Sequence, residues 1–188
     1  MKEKIVQTAG RAQLGEFAPM FAHLNDDVLF GEVWNEQDAT VTEKERYQNS
    51  IFFPIGAPND AFAKYFIGQS YLAPVSKEQV PIFNVTFEPG CRNNWHIHHA
   101  KRGGGQLLIC VGGRGFYQAW GEKTVEMTPG TVVNIPPEVK HWHGAAADSW
   151  FSHLAVEVPG EEAGNEWLEP VADEQYRQAV SFSEEDAE

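Results

Sequence analysis

The sequence predicts an all-β fold, a sandwich or a barrel, preceded by a short helical segment. From residue 52 onward, short apolar runs with a period of two predict β-strands. The chain of 188 residues also contains 17 glycines and 11 prolines, many of which separate these runs. Many short strands joined by regular turns are typical of β-sandwiches and β-barrels.

The candidate strands follow one another closely along the second half of the chain. Turn-forming pairs such as Pro89-Gly90, Gly112-Gly113 and Pro129-Gly130 separate them. The predicted strands are residues 63–71, 82–87, 94–98, 106–111, 115–120, 123–127, 131–135, 140–143 and 150–158. A short helix is predicted beyond them, near residues 173–178.

The residues before the barrel divide into an apolar part and a polar part. Leu14, Phe17, Phe21 and Leu24 recur at spacings of three and four, which predicts one face of an α-helix. We therefore expect a helical arm over residues 1–38, a polar linker over 39–51, a barrel over 52–162, and a C-terminal extension with an acidic tail over 163–188. The apolar face of the arm must pack on the barrel or on a neighbouring chain, so a homodimer or a higher homo-oligomer is expected.

The charge of the chain excludes two classes of partner. A formal net charge of −13 argues against binding to nucleic acid or to an anionic membrane, because both require a basic surface. The N-terminus lacks the apolar segment of a signal peptide, and the sequence contains no run of 18 apolar residues. We expect a cytoplasmic protein whose partner is a small-molecule substrate.

The main chemical signal is a cluster of histidines, since six of the seven lie between residues 96 and 153. Residues i and i+2 of a strand point to the same face. His96 and His98 therefore project together, and so do His141 and His143. Two such pairs facing one barrel interior bring several imidazoles to one point, and imidazole is a ligand for Zn, Mn, Fe, Ni and Cu. His23 and His99 are not expected to be ligands.

Two ordered motifs resemble those of the cupin family. The first consists of Gly90, His96, His98, Gln106 and Gly113. The second consists of Gly130, Pro136 and His141. The resemblance implies a cupin double-stranded β-helix, a jelly-roll barrel, with a short N-terminal helical arm. It also implies one divalent metal ion held by His96, His98, Gln106 and His141, with Mn²⁺ as the expected ion and Fe, Zn or Ni as alternatives.

The chain departs from the family pattern at two points. Gln106 stands where the usual ligand is a glutamate, and the insertion 99–105 separates it from His98. Three neutral imidazoles and a neutral amide would leave the site with the full charge of the ion. A more positive site polarises a bound oxygen more strongly and disfavours higher oxidation states, so Lewis-acid chemistry is favoured over dioxygen chemistry.

The segment 140–146, together with 152–156, resembles one cupin subgroup, which includes small manganese-dependent hydroxynitrile lyases with a glutamine ligand. That resemblance implies that His143 and His153 are pocket residues near the substrate, and we assign them as the candidate catalytic residues. A structural alternative stays open for each. His143 could orient a metal ligand through a hydrogen bond, and His153 could be a buried histidine of the last strand.

The segment Thr8–Trp34 resembles a fragment of the carboxymuconolactone decarboxylase fold. It lacks the Cys-x-x-Cys-His site of the peroxidase branch of that superfamily, because the two cysteines, Cys91 and Cys110, lie elsewhere. We interpret it as an arm for packing or dimerisation.

The predicted function is metal-dependent lyase, decarboxylase or isomerase chemistry on a small hydroxy- or oxo-acid-like substrate. A non-enzymatic cupin that binds a small molecule and a metal-dependent dioxygenase are the alternatives. Lys101 and Arg102, in the insertion, could receive a substrate carboxylate. Their alternative is an exposed, mobile loop.

Overall fold

Antiparallel strands form most of the structure, a computed structural model that describes residues 7–8 and 41–185. The strands are β1 (Gln7–Thr8), β2 (Ala57–Pro58), β3 (Phe66–Ile67), β4 (Ser70–Ser76), β5 (Ile82–Phe87), β6 (Arg92–Asn93), β7 (His96–His99), β8 (Arg102–Gly103), β9 (Gln106–Gly113), β10 (Gly115–Ala119), β11 (Val125–Met127), β12 (Thr131–Ile135), β13 (His141–Ala145), β14 (Phe151–Glu157), β15 (Gly160–Glu161) and β16 (Gly164–Trp167). Two α-helices, α1 (Glu43–Ser50) and α2 (Asp173–Glu185), and the 3₁₀ helix Asp60–Tyr65 complete it.

Two sheets enclose the core. One has the strand order β1-β12-β9-β14-β5-β4-β2, and the other has the order β11-β10-β13-β6-β3, with β7 joined to β13 and to β16. The interior is filled by alternate side chains of both sheets, such as Phe87 and Leu108 from the first and Tyr117 and Met127 from the second. Their burial stabilises the barrel, because apolar area removed from water contributes about 25 cal/mol per Å². The predicted all-β jelly-roll barrel is confirmed.

The segment predicted as a polar linker contains a helix instead. The Thr42 hydroxyl accepts from the backbone of Glu45, and the Glu45 carboxylate accepts from the backbone of Thr42. This reciprocal capping box satisfies two backbone donors at the start of α1. Helix α1 was not predicted within the polar linker 39–51, because apolar periodicity does not reveal a polar helix whose first turn is fixed by its cap.

The predicted N-terminal arm lies almost wholly outside the described residues. The exception is β1, which pairs with the edge strand β12 through Gln7↔Val132 and Thr8↔Thr131. These two residues are extended rather than helical as predicted, because they complete a sheet edge whose backbone groups would otherwise lack partners.

The barrel continues past residue 162, where we had placed its boundary. Strand β16 pairs with β7 and lies beside the histidine-bearing strand. After it, α2 packs on the outer face of the second sheet, where Tyr176 and Ala179, with Val171 just before the helix, form a buried cluster with Trp142. The predicted C-terminal helix is therefore present and extends to Glu185. Within the described part of the chain, neither helix has the length and apolar character needed to cross a lipid bilayer.

Candidate metal centre

Three of the predicted ligands meet inside the barrel. His96 and His98 lie on β7 and His141 begins β13, and the pairing of His141 with His96 brings the two strands together. One ligand atom from each of these buried histidines lies within 4.8 Å of the other two. Ile97, which lies between His96 and His98, is less buried than either, so the alternation of β7 turns both histidines inward as the sequence predicts.

Backbone carbonyls fix the orientation of two of the rings. His141 Nδ1 donates to the carbonyl of Val139 at 2.8 Å, and His96 Nδ1 donates to the carbonyl of Asn94 at 3.0 Å. A proton held at Nδ1 leaves the Nε2 lone pair for a metal. Burial lowers the pKa of His141 to about 4 and lowers the pKa of His96 well below its usual value, so both rings are neutral at pH 7.

The remaining polar atoms test whether a metal ion fits. The Nε2 atoms of His98 and His141 and the Oε1 atom of Gln106 are buried, and none of the described residues gives them a hydrogen-bond partner. A buried polar atom without a partner is costly, and native proteins rarely leave one. Two imidazole nitrogens and an amide oxygen form a donor set suited to a divalent ion, so the residues fit the expected metal.

Gln106 reaches this site from the start of β9. Gln106, Leu108 and Cys110 are buried while the residues between them are half-buried, so the amide points into the barrel as expected. Its Nε2 donates to Glu157 Oε1 at 2.8 Å, which turns Oε1 away from Glu157. The amide is thus held in one orientation, with its oxygen free.

Glu157 changes the charge that we expected for the site. Its Oε2 lies 3.3 Å from His98 Nδ1, while its Oε1 accepts from Gln106. Burial would raise the pKa of Glu157, but the neighbouring His98 ring and the Gln106 amide together lower it. A carboxylate therefore stands directly behind two candidate ligands. An ion held here would therefore be partly neutralised, because the negative charge that Gln106 lacks lies one residue further out.

His143 and His153, the candidate catalytic residues, form a buried hydrogen-bonded chain with Asn93. The Asn93 oxygen accepts from the backbone N–H of His143 at 2.9 Å, so its amide nitrogen faces the ring and donates to His143 Nε2 at 3.0 Å. His143 Nδ1 then carries the proton and donates to His153 Nε2 at 3.1 Å. Burial, followed by neighbouring histidines, lowers the pKa of His143 well below its usual value, and burial lowers the pKa of His153 to about 3.

The insertion after His98 is an ordered strap, defined as residues 100–105. Strand β8 within it pairs with β15, and the backbone N–H of Gly104 donates to the carbonyl of Pro159 at 3.0 Å. Lys101 and Arg102 point outward and pair with Glu162 and Glu161. Neither basic residue is among those lining the cavity, so the strap does not present a receptor for a carboxylate there. His99, as expected, faces away from the ligands, and it bonds Glu138 and Glu166.

A cavity of about 280 Å³ opens onto the candidate ligands. His96, His98, Gln106 and His143 line one side, whereas His153 is not among the lining residues. The rest of the lining is mainly apolar, with Phe62, Phe66, Leu72, Phe83, Val85, Ala155 and Trp167. This volume and lining suit one small ligand with an apolar body and a polar head.

Three residues that border the site escaped the sequence analysis. Glu157 shares a strand face with His153, so the period of two along β14 could have revealed it. Asn93 lies in β6, which is separated from β7 by an irregular step, and its position relative to His96 therefore carries no signal. Trp167 stacks on the His96 ring at a centroid distance of 4.8 Å, but it lies in a polar stretch without a strand pattern.

The fold and the histidine centre define a metal-binding β-barrel, and comparison with known proteins gives its family. A family model described as a cupin domain matches residues 83–156. An (R)-mandelonitrile lyase from Granulicella tundricola is 40% identical over 119 residues, which span 61% of this chain and 88% of the relative. The chain belongs to the cupin family.

Two solved structures resemble the barrel. A cupin-like protein from Thermotoga maritima superposes with a TM-score of 0.62 at 35% identity, covering 69% of this chain and 96% of that protein. A cupin 2 conserved barrel domain protein from Rhodopseudomonas palustris gives a TM-score of 0.50 at 17% identity, covering 68% and 86%, and shares the fold alone.

Proposed function

We propose that this cupin is a metal-dependent lyase that cleaves a small substrate next to a hydroxyl or carbonyl oxygen. One observation carries the proposal: the unpartnered ligand atoms of His98, His141 and Gln106 converge beside a cavity that is also lined by His143. The identity to a mandelonitrile lyase supports lyase chemistry over the decarboxylase and isomerase alternatives. We propose Mn²⁺ as the ion, with Fe, Zn and Ni as alternatives.

A divalent ion held by the three histidines and Gln106 supplies Lewis acidity toward the substrate oxygen. Trp167 and the apolar walls exclude water and position the substrate body. Gln106 and His98 are kept in orientation by Glu157, so the ligand set is arranged before the substrate arrives.

His143 Nε2 is the proton acceptor in this proposal, since His143 lines the cavity and Nε2 lacks a proton of its own. To accept this proton, Nε2 gives up its hydrogen bond from Asn93 and accepts one from the substrate hydroxyl. The hydroxyl proton moves to His143, the O–H electron pair forms the carbonyl bond, and the bond to the leaving group breaks with its pair on that group. The leaving group finally takes the proton. His153 accepts from His143 Nδ1 throughout and acts as a positioning residue.

The test combines metal analysis with a turnover assay on mandelonitrile, 2-oxo acids and muconolactone-type acids. We expect about one Mn²⁺ per chain in the wild type, and loss of the metal in His96→Ala. His143→Ala should keep its metal but release aldehyde about 100-fold more slowly, which is the usual contribution of a general base. Absence of metal from the wild type, or full activity in His143→Ala, would contradict the proposal.

A non-enzymatic small-molecule-binding cupin is the second candidate. One observation favours it: Asn93 and His153 occupy both ring nitrogens of His143 with hydrogen bonds. A histidine that only forms part of a rigid cavity wall would show the same bonds. Metal-loaded protein that binds ligands without turning over any of them would favour this candidate.

A further inference from the structure

Three aromatic rings are stacked beside the candidate metal centre. The Trp167 indole stacks on the His96 imidazole, with ring centroids 4.8 Å apart and an interplanar angle of 29°. The same indole is nearly parallel to the Tyr65 ring, with centroids 4.6 Å apart and an angle of 7°. A candidate ligand is therefore joined, ring by ring, to a tyrosine that does not line the cavity.

Both partners of His96 in this stack are attached to the chain that carries it. Trp167 is the backbone partner of His96 in the pairing of β16 with β7. Tyr65 ends the 3₁₀ helix, and its carbonyl oxygen accepts from the backbone N–H of Asn94 at 2.8 Å. The two rings are thus held in place next to the ligand by the backbone on either side of them.

The His96 ring has one hydrogen bond of its own, which does not fix its plane. Its Nδ1 donates to the carbonyl of Asn94 at 3.0 Å. This bond restrains one atom, whereas the terminal torsion of a histidine side chain is broad. A flat neighbour restricts the torsion, and offset stacked rings contribute beyond the apolar area that they bury. Without it, rotation would carry His96 Nε2 away from the ligand atoms of His98 and His141.

We infer that Tyr65 is a positioning residue, which holds the Trp167 indole against the His96 ring and so fixes the plane of this ligand before an ion binds. This rests on the proposed function in taking His96 as a ligand. Tyr65 acts through Trp167, and the property that matters is its flat ring rather than its hydroxyl or its apolar volume. Because Trp167 also lines the cavity, one indole both orients a ligand and bounds the substrate space.

The test compares variants of the full chain in two measurements. NMR of the metal-free protein records the His96 ring protons, which are identified by the loss of their signals in His96→Ala. An aromatic ring shifts the signals of protons stacked against it, so these signals report the position of Trp167 over His96. Calorimetric titration gives the dissociation constant for Mn²⁺. If wild type bound no metal, the proposed function would fail, and the ring signals would still decide whether Tyr65 positions His96.

The variants separate the flat ring from the other properties of Tyr65. Tyr65→Phe keeps the ring and removes the hydroxyl, whereas Tyr65→Leu keeps an apolar side chain and removes the ring. Trp167→Leu, alone and combined with Tyr65→Leu, tests whether Tyr65 acts through the indole. Tyr47→Leu is the matched control, because Tyr47 stacks on Trp150 with centroids 5.2 Å apart and neither residue lines the cavity.

We expect Tyr65→Leu to move the His96 ring signals toward their unfolded positions and to weaken Mn²⁺ binding about fivefold, which is the effect of losing one stacked aromatic pair. Tyr65→Phe and Tyr47→Leu should match wild type in both measurements, and Tyr65→Leu should add nothing to Trp167→Leu.

Four results would overturn the inference. The first is a Tyr65→Leu protein with unchanged His96 signals, or with unchanged Mn²⁺ affinity when wild type binds the ion. The second is a Tyr65→Phe protein as impaired as Tyr65→Leu. The third is an equal shift of the His96 signals in Tyr47→Leu. The fourth is full additivity of Tyr65→Leu and Trp167→Leu, which would mean that Tyr65 does not act through the indole.

Discussion

Asn93 shows how one buried amide determines the state of a catalytic candidate. Its oxygen is committed to the backbone of His143, so its nitrogen must face the ring. That leaves His143 with its proton on Nδ1 and directs this proton to His153. The protonation pattern of both histidines therefore depends on a residue that carries no charge.

We predict that Asn93→Ala destabilises the protein by about 2–3 kcal/mol, because the His143 backbone N–H loses its buried acceptor and the ring loses a donor. Asn93→Asp should keep the backbone contact and move the His143 proton to Nε2. Urea unfolding measures the first effect, and ¹⁵N shifts of the His143 ring measure the second. Asn94→Ala is the matched control, since Asn94 is also buried but donates to the carbonyl of Leu168. Unchanged ring shifts in Asn93→Asp would contradict the assignment.

At the scale of single residues, strand alternation explains which ligands could be predicted. His96, His98 and His141 converge as their spacing indicated, and Gln106 joins them across an insertion. Glu157 has the inward parity of β14, but a ligand set of three histidines and a glutamine does not by itself indicate a carboxylate behind it. Asn93 could not be predicted, since the turn of chain between β6 and β7 resets the alternation.

The strap is an insertion relative to the cupin motif, yet Gln106, which follows it, still reaches the candidate metal centre. Gly103, Gly104 and Gly105 all have positive φ values, of 65°, 73° and 85°. A Cβ on Gly105 would overlap the carbonyl oxygen of Ile135 and approach Pro137 N to 2.9 Å. The backbone therefore passes close to the second motif immediately before Gln106, and only glycine allows this approach.

We predict that Gly105→Ala destabilises the protein by about 3 kcal/mol and weakens metal binding, because left-handed strain and a backbone collision add together. Gly121→Ala is the control that introduces the left-handed strain without the backbone collision. Gly121 also has a positive φ, of 74°, but nothing lies within 4 Å of an added Cβ. We expect this control to lose about 1 kcal/mol and to bind Mn²⁺ normally. Denaturant unfolding and metal titration compare the two, and equal losses in both would refute the role of the collision.

At the scale of elements, the strands were predicted well where apolar alternation was strong. Strands β5 and β12 begin and end at the predicted residues. Helix α1 was missed because its stability begins with the cap at Thr42 rather than with an apolar face, and it buries none of its residues. Strand β16 was missed because Gly164-Asn165-Glu166 has no apolar pattern, and only the pairing with β7 makes it extended.

For the molecule as a whole, the buried histidines link stability to pH. Burial lowers the pKa of His141 to about 4 and of His153 to about 3, and it also lowers those of His96 and His143. The unfolded chain binds protons at its ordinary histidine pKa of about 6.5, whereas the folded chain does not. The stability that these histidines contribute is therefore fully present above pH 6.5 and falls as the pH is lowered through that value.

We predict that the metal-free protein loses about 1 kcal/mol of unfolding free energy per pH unit for each of these histidines between pH 6.5 and pH 5. This window lies above the carboxylate range. His153→Leu should reduce the slope of unfolding free energy against pH by the contribution of one proton. His99→Asn should not reduce this slope. The carboxylates of Glu166 and Glu138 raise the pKa of His99, so its contribution to the slope has the opposite sign. Urea titrations at several pH values measure the slope, and a flat profile would exclude buried neutral histidines.

Strand β16 lies outside the family match but contributes to the cavity. The family match stops at residue 156, yet Asn165 and Trp167 close one side of the cavity from beyond it. A chain shortened at Val158 would retain all four candidate ligands and Glu157 while exposing one face of His96 to solvent. A change confined to this short peptide could therefore reshape the cavity without altering any candidate ligand.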